Sequence, residues 1–164
     1  MHESWKAARA RLAAAGIGAD DAYFAPLIPL VDVAMADGEV QPEEAAQLER
    51  EARDLVARLN AEAGYAAFSV ERALEVLMKL RRLAPFELAQ LTAQVRALEL
   101  EGEDAEAAFS RIVAGCLRVA MASQTMEAGE LVHFCREERL RIYGILQSLA
   151  ITRRYTPGSR SGES

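Results

Sequence analysis

Residues 21–36, DAYFAPLIPLVDVAMA, limit the fold more than any other part of the sequence. They are apolar on almost every side of a helix, and a helix of that kind has to be covered by protein all round. Pro26 stands early enough to be tolerated, whereas Pro29 should kink the helix or delay its start. The sequence therefore predicts a buried central helix surrounded by amphipathic ones.

Helical periodicity continues along most of the chain, and turn-forming residues divide it into about seven segments. The predicted helices cover residues 3–15, 20–36, 42–63, 69–83, 85–100, 104–122 and 126–150. Strong helix formers dominate the composition while aromatic residues make up 6% of it, which favours helices over strands. With 164 residues, the chain has the length of one compact domain. We predict an all-α bundle.

The predicted domain organisation has three parts. Residues 1–19 form an N-terminal helix, residues 20–150 form the helical domain, and the polar segment 151–164 is a disordered tail. No window reaches the ~18 consecutive apolar residues that span a bilayer, and the first residues lack the apolar core of a secretory signal. We therefore expect a cytoplasmic protein with no transmembrane segment.

The charge distribution and the small number of potentially catalytic side chains restrict the classes of function. The net charge is −6, and residues 1–11 and 152–164 each carry +2, so the middle of the chain is more acidic still. An acidic surface argues against nucleic-acid binding and is better suited to binding a cation or a basic partner. With two histidines and neither a nucleophile elbow nor a phosphate-binding glycine loop, we predict that the protein is not an enzyme.

The two cysteines lie inside helical patterns. Cys116 and Cys135 have neither CxxC spacing nor flanking histidines, which argues against a disulfide framework or a zinc site. We predict that both are small buried hydrophobic residues. Met35, Met121 and Met126 are predicted to fill the core or, because they lie beside turns, to serve an adaptable interface.

An internal repeat becomes visible when the sequence is compared with itself at an offset of 86 residues. Residues 33–36 and 119–122 are then both VAMA, and Glu44 falls on Glu130. Apolar and charged positions stay in register through the helix that follows. The sequence thus predicts two helical hairpins, 20–63 and 104–150, with 69–100 between them.

The turn within residues 33–44, VAMADGEVQPEE, is the one place that suggests chemistry. It fits the second half of an EF-hand loop, but Val33 and Met35 stand where the first half needs side-chain oxygens. Asp37, Glu39, Glu43 and Glu44 can still offer oxygens to a hard cation.

A purely structural reading of the same turn is also open. Gly38 fits a helix C-cap, and Asp37 can accept hydrogen bonds from backbone N–H groups in the turn. Gln41 and Glu44 fit a capping box at the start of the next helix.

This stretch, V-A-M-A-D-G-E-V-x-P-E-E between a hydrophobic and a long amphipathic helix, resembles the tellurite-resistance TerB-like family. That family's hallmark is an Ala-Asp-Gly-x-[apolar]-x-x-x-Glu turn, and the resemblance covers roughly residues 20–150. It implies an all-helical fold with an internal two-fold repeat, and acidic turns that bind divalent cations such as calcium.

The implied ligands are only partly preserved in this chain. Asp37 and Glu44 match the family turn, whereas the second half has Ser123-Gln124 in place of Asp-Gly and keeps Glu130. The predicted metal ligands are therefore Asp37, Glu44 and Glu130, together with Glu39.

Two functional hypotheses follow. The first is a non-enzymatic stress-response module of the tellurite-resistance type that binds calcium or magnesium weakly through these carboxylates. The second is a helical adaptor whose grooves receive an unidentified protein partner while the turns are only structural, since TerB-like domains also occur fused to co-chaperone and other modules. The missing second aspartate favours the adaptor. The sequence does not determine the oligomeric state.

Overall fold

The computed structural model of the chain describes residues 2–36, 38–99, 104–122 and 144. Its helices are α1 His2–Ala14, a 3-10 helix Ala19–Phe24, α2 Leu27–Ala34, α3 Pro42–Ala63, α4 Val70–Arg81, α5 Pro85–Glu99 and α6 Ala105–Ala122. No strand occurs within these ranges, which confirms the all-α prediction for them. None of the described helices combines the length and the apolar character needed to cross a membrane.

Helix α2 is the centre of the fold, as the apolar segment predicts. All eight of its residues are buried, and it contacts α3, α4, α5 and α6. The predicted single helix 20–36 is divided into the 3-10 helix and α2. Pro29 lies in the first turn of α2, where a backbone N–H would have no helical acceptor, so the delayed start that its ring imposes costs no hydrogen bond.

Helices α3 and α6 each bury one stripe of side chains against α2 and against each other. The stripes repeat at helical spacing along both helices. In α3 the buried residues are Glu44, Leu48, Glu51, Ala52, Leu55 and Val56. In α6 they are Ala108, Ile112, Gly115, Cys116, Val119 and Ala120. Burying each leucine, isoleucine or valine stabilises the fold by roughly 1.5–3 kcal/mol.

Polar contacts fix the outer helices onto this centre. Arg72 of α4 donates from Nε to Asp21 Oδ1 at 3.0 Å, and its Nη2 lies 2.9 Å from the same oxygen. The side-chain amide of Asn60 both donates to the Phe68 carbonyl and accepts from the Phe68 N–H, at 3.0 and 2.7 Å. These bonds hold the 3-10 helix and the α3–α4 loop in place.

The ends of the chain and the second predicted hairpin are described only in part. Ala8 and Leu12 of α1 are buried, and α1 contacts α5. Of the hairpin predicted for 104–150, the structure describes α6 and Gly144. The predicted helix 126–150, apart from Gly144, and the predicted tail 151–164 lie outside the described residues.

Gly115 lets α6 approach α2 and α3 closely. A Cβ at this position would lie 3.0 Å from Leu30 Cδ2 and 3.1 Å from Glu51 Oε1. Both distances are shorter than an ordinary van der Waals contact, so a side chain here would have to displace its neighbours.

Gly115→Ala is expected to lower the free energy of unfolding by roughly 1 kcal/mol. Overpacking a core costs about 1–3 kcal/mol, and this exceeds the ~1 kcal/mol that alanine gains over glycine in helix propensity. The midpoint of urea unfolding measures the difference.

Gly18→Ala is the matched control for this substitution. No atom lies within 4 Å of an added Cβ there, and its backbone φ of −69° suits alanine, so its stability should be unchanged or slightly raised. A Gly115→Ala protein as stable as the wild type would contradict the close packing of α6.

Candidate functional site

The turn between α2 and α3 has the geometry of a helix joint. Gly38 has a φ of +99°, a region that glycine adopts without the strain of a Cβ. Its N–H donates to the Met35 carbonyl at 3.0 Å, and the Met35 N–H donates to Val31 at 2.9 Å. Pro42 then begins α3 with its ring in the first turn.

Two of the predicted metal ligands lie within this turn and share Gln41. The Gln41 backbone N–H donates to Glu44 Oε1 at 2.9 Å, as a capping box requires. The Gln41 side chain donates from Nε2 to Glu39 Oε1 at 3.3 Å. Glu44 is 0% exposed, whereas Glu39 is exposed. The structure thus places Glu39 just before the N-cap of α3 and Glu44 in its first turn, with Gln41 hydrogen-bonded to both.

The other two predicted ligands, Asp37 and Glu130, lie outside the described residues. Within the ranges that the structure describes, no three His, Cys, Asp or Glu residues are grouped so that they could hold a metal ion. Asp32 is buried and accepts a 2.7 Å hydrogen bond from Thr92 Oγ1 of α5. A metal site at the turn therefore stays a prediction that depends on Asp37 and Glu130.

A cleft of about 230 Å³ lies between α2, α3 and α6. We call its apolar lining residues the floor and its charged lining residues the rim. The floor consists of Pro26, Leu27, Leu30, Leu55, Ala108 and Ile112. The rim consists of Glu51, Asp54, Arg58, Arg111 and Arg118. An apolar cleft with a few placed charged groups is the usual form of a binding site.

Glu51 and Arg118 form a bidentate ion pair in the cleft. Arg118 donates from Nη2 to Oε1 at 2.6 Å and from Nε to Oε2 at 2.9 Å. Gln47 Nε2 donates to Oε2 at 3.0 Å. The Glu51 hydrogen bond raises the pKa of Arg118 above its ordinary value, against the lowering effect of desolvation. A fork-to-fork pair of this kind fixes the plane of the guanidinium.

Cys116 lies behind the cleft and is buried, as its sequence context predicted. Burial raises the pKa of its thiol to about 12, with further contributions from the negative charges of Asp32 and Glu51. Because the thiolate is the nucleophile and the metal-binding form, this cysteine is chemically inert at neutral pH. Cys135 lies outside the described residues.

One feature of the sequence, a glutamate on the apolar face of α3, indicates a buried charged group at the cleft. Glu51 stands between Leu48 and Leu55 on the buried stripe of α3, and a charged residue at such a position needs a partner. The partner, Arg118, is 67 residues away, and nothing in the local sequence points to it. The buried position of Glu51 can be predicted from its spacing in the sequence. Its ion pair with Arg118 cannot, because that pair depends on how α6 packs on α3.

Comparison with known proteins finds no relative: no family model, no curated protein and no solved structure matches the chain. The resemblance to the TerB-like family therefore depends on the residues of the turn and on the repeat alone. It stays a prediction.

The buried thiol of Cys116 allows a test of the packing behind the cleft. In a Cys135→Ser variant, Cys116 should not react measurably with Ellman's reagent at about pH 8 while the protein is folded. With a pKa of about 12, the thiolate fraction is roughly one in ten thousand, against about a quarter for an ordinary thiol with a pKa near 8.5. The absorbance of released thionitrobenzoate measures the rate.

The same variant unfolded in guanidinium chloride is the control and should react as fast as a simple thiol. Because the pKa is raised, the folded protein should become reactive only as the pH approaches strongly alkaline values. Equal rates for the folded and unfolded forms at about pH 8 would contradict the buried position of Cys116.

Proposed function

We propose that this protein is a non-enzymatic helical interaction module whose cleft between α2, α3 and α6 receives a segment of a partner protein. The observation that carries the proposal is the cleft itself, in which an apolar floor is bordered by a bidentate Glu51–Arg118 pair. Grooves between helices with apolar walls and arginine at the edge are common recognition surfaces for protein segments.

The role of the acidic turn in this proposal is structural. Gln41 and Glu44 supply the capping box of α3, and Gly38 supplies the left-handed residue between the two helices. Both features satisfy backbone requirements at helix ends without a ligand. The turn then sets the angle at which α3 leaves α2, and α3 carries Glu51 and Leu55 to the cleft.

A second candidate is a TerB-like stress-response role in which Asp37, Glu39, Glu44 and Glu130 hold a calcium or magnesium ion. The hydrogen bonds from Gln41 favour it, because they draw the carboxylates of Glu39 and Glu44 toward the same residue. In this alternative, the two predicted hairpins are related by a pseudo-two-fold axis, and each contributes carboxylates from its turn.

Selection of random peptides on the purified protein tests the first function. The selected peptides should bind the wild type and lose at least about tenfold in affinity for Ala108→Gln, which corresponds to roughly 1.4 kcal/mol. Ala108 belongs to the buried stripe of α6 but lines the cleft and lies outside the central apolar cluster, so the polar glutamine side chain should extend into the cleft rather than into the core.

The neighbouring substitution Ala107→Gln is the matched control, since Ala107 is exposed and outside the cleft. Its affinity for the peptides should equal that of the wild type. Thermal melts establish that both variants are folded. No enriched peptide, or equal affinity for Ala108→Gln, would refute the proposal.

Titration with calcium or magnesium tests the second function. A bound cation should raise the free energy of unfolding by about 2.7 kcal/mol when its concentration is about 100 times Kd, and the melting temperature should rise accordingly. Glu44→Gln should abolish the rise, because glutamine keeps a capping oxygen but loses the charge. Asp37→Ala should abolish it as well.

Glu49→Gln is the control for the metal titration, since Glu49 is an exposed carboxylate on α3 that lies outside the turn. It should retain the full rise in melting temperature. Melting curves that are the same with and without millimolar metal in the wild type would rule out the cation site.

A further inference from the structure

We propose that the segment received by the cleft is acidic: it places an apolar side chain on the floor and an aspartate or glutamate against the arginines of the rim. This inference rests on the proposed function of the cleft as a docking site and adds the chemistry of the partner. The overall acidity of the chain favours a basic partner elsewhere on the surface, so the cleft is a local exception.

The rim is locally positive on an acidic protein. Among the residues that the structure describes, three arginines and two carboxylates line the cleft, whereas the whole chain carries −6. Arg111 is exposed and has no ion pair or side-chain hydrogen bond with the described part of the chain. Within the described part of the chain, Arg58 makes one ion pair, a 3.5 Å contact with Glu62 in the next turn of α3, and a solvent-accessible i,i+4 pair of this kind contributes little. Two of the three cations are therefore available to an incoming anion.

Arg118 adds an oriented donor. Its bonds to Glu51 use Nε and Nη2 and leave Nη1 outside the pair. The Arg118 side chain is 53% exposed, so an incoming carboxylate can reach the guanidinium. Because Glu51 already holds its plane, binding costs less side-chain entropy than ordering a mobile arginine would.

A basic segment fits this rim less well. Of the two carboxylates among the described lining residues, Glu51 is buried and occupied by Arg118 and Gln47. Asp54 is the exposed one. A lysine or arginine of the partner would meet one exposed carboxylate and the charges of Arg58 and Arg111, and like charges that meet in an interface are unfavourable.

The charge of the selected peptides tests the inference. Peptides that lose affinity for Ala108→Gln, and so bind in the cleft, should be rich in Asp and Glu beside an apolar residue. Their affinity should fall roughly tenfold in Arg111→Glu and should weaken with added sodium chloride. Arg81→Glu, the same charge reversal at an exposed position on α4 outside the cleft, should leave it unchanged.

The experiment distinguishes a failure of the acidic-partner proposal from a failure of the docking function itself. Cleft-binding peptides that are neutral or basic, or that bind Arg111→Glu as well as the wild type, overturn the acidic partner and leave the docking function standing. The absence of any cleft-binding peptide overturns both. Concentration-dependent self-association that Ala108→Gln abolishes, measured by sedimentation, assigns the cleft to a second copy of this chain and overturns the acidic partner segment.

Discussion

The fold depends on covering one apolar helix on every side. Leu27–Ala34 exposes almost nothing to solvent, and an eight-residue helix with no polar face has no stable position at a surface. Within the described part of the chain, α3, α4, α5 and α6 contact it and cover its apolar side chains. The apolar stripes of α3 and α6 pack against α2 and against each other. The cleft lies between these three helices.

Buried carboxylates set the relative positions of the helices around α2. A buried charge is costly unless it is bonded, and each of three such groups has a defined partner. Asp32 accepts from Thr92 and connects α2 to α5; Glu51 accepts from Arg118 and connects α3 to α6. Glu44 accepts from the Gln41 N–H and fixes the start of α3. A helix displaced along its axis would break such a bond, so these contacts specify register more than they add stability.

Sequence reasoning succeeded where the determining interaction is local. The bounds of α3 were predicted because Pro42 and Gly64 act on their own backbone. The adaptor hypothesis predicted grooves between the hairpins but not the place or the lining of the cleft, because these depend on contacts between α3 and α6 that are distant in sequence. Gly115 reads as an ordinary helical glycine until the approach of Leu30 is known. Met121 is 46% exposed, so its predicted core position was wrong, because periodicity alone did not show which side of α6 faces α2; the alternative, an adaptable interface beside the turn, stays a prediction.

The shared VAMA tetrapeptide has a physical basis in packing. Val33 and Ala34 at the end of α2 are buried, and so are Val119 and Ala120 at the end of α6; α2 and α6 contact each other, and small residues allow such helices to approach closely. The equivalence does not extend along the whole pair, since Val31 is buried while its counterpart Leu117 is 36% exposed. Packing therefore accounts for the Val-Ala pair at both helix ends, whether or not the halves share an origin, but not for the shared methionine, because Met35 packs against the core while Met121 is 46% exposed. The case for a repeat has to come from the turns that follow, where one half keeps Asp-Gly and the other has Ser-Gln.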